Sequence, residues 1–310
     1  MATDHFGNRG QGVMRALSTE KVTAVSVAET RPHPWDAAAT GWNHHGALIH
    51  SWLVDATQTM LDAAHIAPGA HVLDVAAGAG DQTLDIARRV GANGWVLATD
   101  VSPAILSLAQ KNADVAGFTH VSTRVADAQS LGLAGTDFDA AVCRLGLMFC
   151  HAPLKALGEI GAALRPFGRF TALVFGPPER NPCLTITLAT ARKHAGLANG
   201  SASRPTSAFE PGMLMSLGKP GLLEASLLAA GFTEVAVRAV SAPFHAPSAA
   251  HYVDFLRSSA SPLIEILAPL SGAARQEAWN DMTRQLEVFS TASGWAGPNE
   301  LLQVIGGKAG

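Results

Sequence analysis

Cysteine is scarce in this 310-residue chain, which has only Cys143, Cys150 and Cys183. Three irregularly spaced cysteines are too few for a disulfide framework or a zinc site. The chain also lacks a basic N-terminal segment followed by an apolar run, and it has no stretch of eighteen consecutive apolar residues. We therefore expect a cytoplasmic protein without a metal centre and without a membrane partner.

Charge is sparse as well: 15% of the residues are charged, and the net charge is −3. No basic stripe is visible that could neutralise phosphates, so nucleic acid is not expected as a main partner. Hydrophobic residues make up 48% of the chain, which is enough for a sizeable core. The length suits one large domain or one domain with a cap.

The most informative segment is an apolar strand that runs into a glycine-rich turn. Val72–Val75 is followed by Ala-Ala-Gly-Ala-Gly at 76–80, and a second apolar strand, Leu97–Asp100, ends on a carboxylate about one helix further along. This order is typical of the start of a doubly wound α/β sheet. Such sheets bind a ribose-bearing cofactor at the carboxyl ends of their strands.

Two cofactor classes compete for this turn. The dinucleotide fingerprint needs a third glycine, and its position is occupied by Thr83, although Gly78 and Gly80 fit the first two places. Asp100 would suit a ribose in either case. Asp74, at the end of the first strand, would repel a pyrophosphate but suits the ammonium of an amino-acid moiety. The residues therefore favour S-adenosylmethionine over NAD(P).

The next segments predict further strands of the same sheet. Residues 121–126, 138–144 and 169–175 read as strands, and residues 152–165 read as a helix. Each crossover is long enough to carry a helix, as parallel strands require. Two helical stretches are predicted at about 248–268 and 271–291, and a last strand is predicted at residues 301–305.

The block from about residue 69 to 176 resembles a class I S-adenosylmethionine-dependent methyltransferase domain. The pattern is similar to the group that includes the ubiquinone/menaquinone-biosynthesis C-methyltransferases. The resemblance implies a Rossmann-like, seven-stranded doubly wound α/β sheet, with the final strand inserted antiparallel between its neighbours. It also implies S-adenosylmethionine as cofactor and S-adenosylhomocysteine as product.

The resemblance further implies a role for each strand end. The first turn would surround the methionine part, the end of the second strand would bind the ribose hydroxyls, the end of the third would meet the adenine, and the segment after the fourth would lie under the sulfonium. The predicted cofactor-binding residues are Asp74, Ala76, Gly78, Gly80, Thr83, Asp100, Val101, Ser102, Asp127, Ala128, Arg144, Leu145 and Met148.

Two departures from the family pattern bear on function. Ala76 stands where many relatives have glycine, and we expect its small methyl group to be accommodated. Leu147-Met148-Phe149 replaces a more polar run of the quinone enzymes, which argues against a quinone substrate.

Candidates for substrate binding and catalysis lie beside this core. Trp42, His44, His45 and Phe149 are predicted to contact the methyl acceptor. His151 follows the fourth strand and would serve as a general base, or would simply begin a helix. Methyl transfer needs a base only when the acceptor must lose a proton, so proximity alone is the alternative.

The segments outside the core give the domain organisation. We expect a flexible arm at 1–33, a helical lid at 34–68, the cofactor-binding core at 69–176, a cap insertion at 177–220 and the rest of the sheet with a helical cap at 221–310. The lid is suggested by tryptophans and aliphatic residues at helix-compatible spacings.

The sequence thus predicts a methyltransferase that acts on a small, hydrophobic metabolite, with O- or C-methylation favoured. Two alternatives stay open: an NAD(P)-dependent oxidoreductase, and a catalytically inactive cofactor-binding regulatory protein. The expected partner is a small-molecule acceptor. A homodimer is compatible with the sequence.

Overall fold

The computed structural model describes residues 34–197 and 208–310. The predicted arm at 1–33 lies outside the described residues, as do residues 198–207 of the predicted cap insertion. The described part of the chain begins with two helices, α1 (Pro34–His44) and α2 (Gly46–Ala63). They precede the sheet, at the place where the sequence predicted a helical segment.

The first half of the sheet alternates strands with helices. Its elements are β1 (His71–Val75), α3 (Asp81–Val90), β2 (Trp95–Asp100), α4 (Pro103–Val115), β3 (Val121–Val125), β4 (Phe138–Arg144), α5 (Pro153–Ala163) and β5 (Leu164–Phe175). The central strands β1, β2 and β4 are mostly buried, as expected for strands that are covered on both faces, whereas the edge strand β3 is largely accessible. In β1, for example, the last four residues are all buried.

The second half adds a helical layer and closes the sheet. Its elements are α6 (Pro182–His194), α7 (Leu222–Ala229), β6 (Phe232–Ser241), β7 (Phe244–Ala246), α8 (Ala249–Ser259), α9 (Ser261–Leu267), α10 (Gly272–Leu286), β8 (Ser290–Thr291), β9 (Gly294–Gly297) and β10 (Glu300–Lys308).

The strand order confirms the predicted fold class. Seven strands form one sheet in the order β3-β2-β1-β4-β5-β10-β6. β1 to β5 pair in parallel, and β10 is antiparallel to both β5 and β6. The final strand is therefore inserted antiparallel between its neighbours, as predicted. The order reverses next to β1, and ligands of open α/β sheets bind at such a switch point.

Three local predictions need correction. β5 begins at Leu164 rather than at Arg169, because the Pro166-Phe167-Gly168 segment forms a bulge in the strand, with register shifting between the Phe138 and Ala140 pairs. The helix predicted near 248–268 is two helices that meet at Ala260. The helix predicted at 271–291 ends at Leu286.

The region after Leu286 contributes β8 and β9, which join β7 in a small antiparallel sheet of order β7-β9-β8 that the sequence did not reveal. Trp295 anchors it, since its ring stacks on Tyr252 with centroids 4.6 Å apart and its indole N–H donates to the Leu286 carbonyl. This small sheet fixes the chain just before β10 and therefore the position of residues 298–299. Across the described residues, no helix is both long and apolar enough to span a membrane.

Candidate functional site

A cavity of about 620 Å³, here called the large cavity, opens at the carboxyl ends of β1, β2, β3 and β4. This size is within the range of small-molecule and cofactor sites. Predicted residues on its wall are Trp42, Ala76, Gly78, Asp100, Val101, Asp127, Ala128, Arg144, Leu145, Phe149 and His151.

The turn after β1 forms the floor of the large cavity. Gly78 has a φ of +59°, and its N–H donates to Asp100 Oδ2 over 2.9 Å. Gly80 has a φ of +88° and does not line the cavity; a Cβ there would lie 3.0 Å from Ala109 of α4. The two glycines thus have different roles. Gly78 exposes its backbone to the cavity, whereas Gly80 allows α3 and α4 to pack closely.

Asp100 is fixed by the backbone around it. Its Oδ1 accepts from the Ser102 N–H at 3.0 Å while Oδ2 accepts from Gly78. The carboxylate is largely buried yet lies on the cavity wall beside Val101. Ser102 itself does not line the cavity, because its hydroxyl caps α4 by accepting from the Ile105 N–H and also contacts Asp36.

Asp74 requires the main correction. It is fully buried below the large cavity, where its two oxygens accept from Gln82 Nε2 (2.9 Å) and Thr83 Oγ1 (2.6 Å). Thr83 is therefore also occupied inside the fold and does not line the cavity. Burial raises the pKa of Asp74 to about 6, against the lowering effect of its two hydrogen bonds.

The carboxylate that does line the methionine end is Asp81, the first residue of α3. It accepts from Arg144 Nη2 at 2.8 Å, and its other oxygen lies 3.0 Å from His50 Nδ1. Arg144 is almost completely buried and donates its second nitrogen to Thr57 Oγ1. Sequence reasoning missed Asp81, although it follows Gly80 directly in the same motif.

The charge on this wall favours a cationic ligand. Three carboxylates, those of Asp81, Asp100 and Asp127, line the large cavity, while Arg144 supplies the guanidinium and is already paired with Asp81. A pyrophosphate would face net negative charge, whereas an ammonium or a sulfonium would be attracted. No group of three or more His, Cys, Asp or Glu residues suited to a metal occurs within 34–197 and 208–310.

The end of the large cavity where the sequence predicts the adenine is formed after β3. Asp127 is exposed and caps a short 3₁₀ turn by accepting from the Gln129 N–H at 2.8 Å. Ala128 and Gln129 follow on the cavity wall, with Val101 and Ile105 from the neighbouring connection. Apolar side chains with one carboxylate at the rim suit a flat base with an exocyclic amine.

The departure at Ala76 is accommodated by a second glycine. Ala76 has a φ of +55°, and a Cβ at Gly146 would lie 2.3 Å from the Ala76 methyl group. Because residue 146 has no side chain, the methyl group fits between the first and fourth strands. Leu145, also at positive φ (+57°), lines the wall beside it.

A second cavity, here called the small cavity, has a volume of about 90 Å³ and an apolar wall. Trp35, Trp42, Leu145 and Phe149 line both cavities, so the two spaces meet at these four side chains. The Trp35 ring packs edge-on against Phe149, with ring centroids 5.0 Å apart. Met148 was predicted at the cofactor, but it is buried and lines the small cavity instead.

The three histidine candidates separate. His151 lines the large cavity with an exposed side chain, and a Cβ at Gly212 would lie 2.4 Å from its Nδ1. His44, at the end of α1, and His45, which follows it, line neither cavity. The His45 ring packs edge-on against Phe255, and its Nε2 lies 3.0 Å from Ser258 Oγ. Their predicted contact with the substrate is therefore corrected.

Sequence reasoning also missed other wall residues, which could have been found only because they lie near the motifs in the sequence. Those on the wall of the large cavity are Trp35, Asn43, Gly46, Ile49, Leu53, Ala77, Ala79, Asp81, Gln82, Leu84, Ile105, Asn112, Ala126, Gln129, Gly146 and Cys150.

Comparisons with known proteins agree with this geometry. The profile of the family described as "Methyltransferase domain" matches residues 72–168. An uncharacterized protein of Mycobacterium tuberculosis is 38% identical over 109 residues, which are 35% of this chain and 38% of that protein. The ubiquinone/menaquinone biosynthesis C-methyltransferase UbiE of Teredinibacter turnerae is 33% identical over 117 residues, which are 37% of this chain and 47% of that protein. The chain thus spans less than half the length of these two curated relatives.

The fold has matches among solved structures. The crystal structure of the YcgJ protein from Bacillus subtilis superposes with a TM-score of 0.54 at 18% identity, covering 83% of this chain and 99% of that one. This likeness concerns the fold, while the family profile covers residues 72–168, which supply most of the wall of the large cavity. Residues 72–168 thus match a methyltransferase-domain family in sequence, and the fold of the chain is similar to that of the YcgJ structure.

Proposed function

We propose that this protein is an S-adenosylmethionine-dependent methyltransferase that acts on a small, hydrophobic acceptor. The observation that carries the proposal is the meeting of two unlike cavities at four shared side chains, Trp35, Trp42, Leu145 and Phe149. The acidic large cavity suits a cationic cofactor, and the apolar small cavity suits an uncharged acceptor.

The residues of the large cavity fit the parts of the cofactor. Asp100 presents buried carboxylate oxygens where a ribose diol would bind, and Asp81 offers its carboxylate to an ammonium group. Gly78 leaves its face of the turn open, because the nearest atom to a Cβ there would be Ile105 Cδ1 at 4.0 Å. When bound, S-adenosylmethionine supplies an electrophilic methyl group on its sulfonium.

The protein's contribution to the reaction is positioning and exclusion of water. None of the four shared residues is titratable, so the described residues offer no general base where the cavities meet. Aligning the two reactants there can supply much of the rate acceleration, because charge disperses in the in-line displacement. This arrangement supports O- or C-methylation of an acceptor that ionises readily or carries an activated carbon.

α1 is proposed to act as part of a lid. It supplies Trp35 and Trp42 to both cavities and packs against α4 on one side and against α8 on the other. We expect the partner to be a small molecule of cellular metabolism rather than nucleic acid, in line with the net charge of −3. A named relative acts in quinone biosynthesis, but the apolar Leu147-Met148-Phe149 run argues for a different acceptor here.

Transfer of a labelled methyl group tests the proposal. The full chain is incubated with S-adenosylmethionine carrying an isotopically labelled methyl group and with fractionated metabolite extract. We expect label in an organic-soluble product, and expect less label with Asp100→Ala when the cofactor is kept below saturation. Binding of the cofactor without any labelled product in any fraction would instead identify a cofactor-binding protein without turnover.

A further inference from the structure

Several polar side chains on the wall of the small cavity are already hydrogen-bonded to backbone carbonyls. The indole N–H of Trp42 donates to the Ser259 carbonyl, and that of Trp52 donates to the Ala242 carbonyl, each over 2.8 Å. Their apolar faces are therefore left for the cavity. The hydroxyls of Thr187 and Ser259 are likewise bonded to backbone carbonyls of their own helices.

Asn299, on the same wall, carries a buried carbonyl oxygen that these contacts do not satisfy. It is 5% exposed and lies in the short connection between β9 and β10. Its Oδ1 has no hydrogen-bond partner among the residues that the structure describes, and its Nδ2 reaches only the Gly297 carbonyl at 3.5 Å. A buried carbonyl oxygen left without a partner is costly, and such atoms are rare in folded proteins.

The position of Asn299 is set by the backbone rather than by its side chain. Its carbonyl accepts from the Ala242 N–H at 2.9 Å, and the next residue, Glu300, donates its N–H to Asn181 Oδ1 at 3.1 Å. The amide is thus held on the wall by contacts that a change of its side chain would leave in place.

The size of the small cavity limits what can enter. Its volume of about 90 Å³ is below the roughly 150 Å³ of an apolar cavity that accepts benzene. A short alkyl chain or the edge of one ring would fit, with the rest of the molecule extending toward Trp35 and Phe149 where the two cavities meet. The acceptor must therefore be slender and apolar.

We propose that the small cavity is the acceptor subsite and that Asn299 selects an apolar acceptor bearing one hydrogen-bond-donating hydroxyl. This inference rests on the proposed function, since the large cavity is assigned to the cofactor. The hydroxyl donates to Asn299 Oδ1, and the remainder of the acceptor packs against a largely apolar wall. An acceptor without such a donor leaves the amide oxygen unpaired and binds more weakly.

Phenol and toluene are the probes, because they have the same shape and differ in one hydroxyl. The full chain is saturated with S-adenosylhomocysteine, and binding of each probe is measured by nuclear magnetic resonance titration. We expect wild-type protein to prefer phenol by about tenfold, the effect of one buried hydrogen bond. In Asn299→Leu the preference should disappear or reverse. An unchanged preference in Asn299→Leu would overturn the assignment of Asn299.

A plug variant keeps the proposal testable if Asn299→Leu does not fold. Leu188 lies on α6, is half-buried and lines the small cavity but not the large one. Leu188→Trp should weaken binding of both probes about tenfold or more, since the added ring fills a cavity of this size, and should leave S-adenosylhomocysteine binding unchanged. If Leu188→Trp bound both probes as tightly as the wild type does, the assignment of the small cavity as the acceptor subsite would be overturned. Failure of the wild type to bind S-adenosylhomocysteine would instead count against the proposed function.

Discussion

The two cavities share a wall but differ in chemistry and in how the chain builds them. The large cavity carries three carboxylates and is formed mainly by consecutive strand ends between residues 76 and 151. The small cavity is formed by side chains spread from Trp35 to Asn299 and is lined almost entirely by carbon. The large cavity is charged and built from one continuous part of the chain, which suits a ligand of fixed structure. The small cavity is built from distant helices, so substitutions there can change its shape while the large cavity is retained.

The buried ion pair of the large cavity gives the largest expected effect. Arg144→Leu removes the partner of Asp81 and the bond to Thr57, so the free energy of unfolding should fall by about 3 kcal/mol, as when one member of a buried pair is lost. Arg165→Leu is the matched control, because its pair with Asp139 is largely exposed and should contribute less than about 1 kcal/mol. Urea denaturation compares the two. Equal losses would contradict a structural role for the buried pair.

The second prediction separates the cavities by ligand. Asp100→Ala removes a carboxylate of the large cavity and should weaken S-adenosylmethionine binding by about 1–3 kcal/mol, or roughly 5- to 150-fold. Binding of phenol in the small cavity should stay within twofold of wild type, because Asp100 does not line that cavity. Asp114→Ala, on the exposed end of α4, serves as control. Calorimetric titration measures all three, and full cofactor affinity in a folded Asp100→Ala protein would remove Asp100 from the site.

The third prediction uses the buried carboxyl below the large cavity. The pKa of Asp74 is raised from 3.8 to about 6 in the folded protein, so folding favours its neutral form. Its contribution to stability is complete below the unfolded-state pKa and is lost as the pH rises through about 6. Asp74→Asn stays neutral, and Thr83 can still bond to it.

The difference in unfolding free energy between wild type and Asp74→Asn should therefore change between pH 4 and pH 7, with the wild type losing stability relative to the variant. Denaturant titrations at several pH values measure this difference. A constant difference across that range would contradict the raised pKa of Asp74 in the folded protein.

The smallest effect is expected at His151. It lies on the large cavity but not where the two cavities meet, so His151→Ala should lower kcat by less than about tenfold, against the 10²–10⁴-fold cost of losing a general base. Trp42→Ala, which opens the shared wall, should instead raise the KM for the acceptor. Once an acceptor is identified, a pH–rate profile decides the matter. An inflection near neutral pH that vanishes in His151→Ala would establish the histidine as a base.

The fold could be predicted well because its signals are local. Strand, glycine turn and strand-end carboxylate follow one another within a few residues, and the crossover rules leave few ways to arrange them. The part of the large-cavity wall that follows the strand ends could be predicted for the same reason. The error at Asp74 arose because spacing marks a strand end but does not show that Gln82 and Thr83 turn back from α3 to occupy the carboxylate.

The small cavity could not be predicted in this way. Its walls come from α1, α6, α8, α9 and the connection before β10, and no periodicity reveals which faces of these helices meet. His45 illustrates the difficulty: it lies close to Trp42 in sequence, yet its ring contacts Ser258 and Phe255. Asn299 carries no motif at all, and only the small sheet around Trp295 gives it its place.

The central claim is that the acidic large cavity binds S-adenosylmethionine, and calorimetry on the full chain tests it most directly. S-Adenosylmethionine, S-adenosylhomocysteine and NADH are titrated in parallel into the same protein preparation. The account predicts saturable one-to-one binding of the first two compounds and no binding of NADH, whose pyrophosphate would face Asp81 and Asp100. Binding of NADH with no response to either adenosyl compound would contradict it.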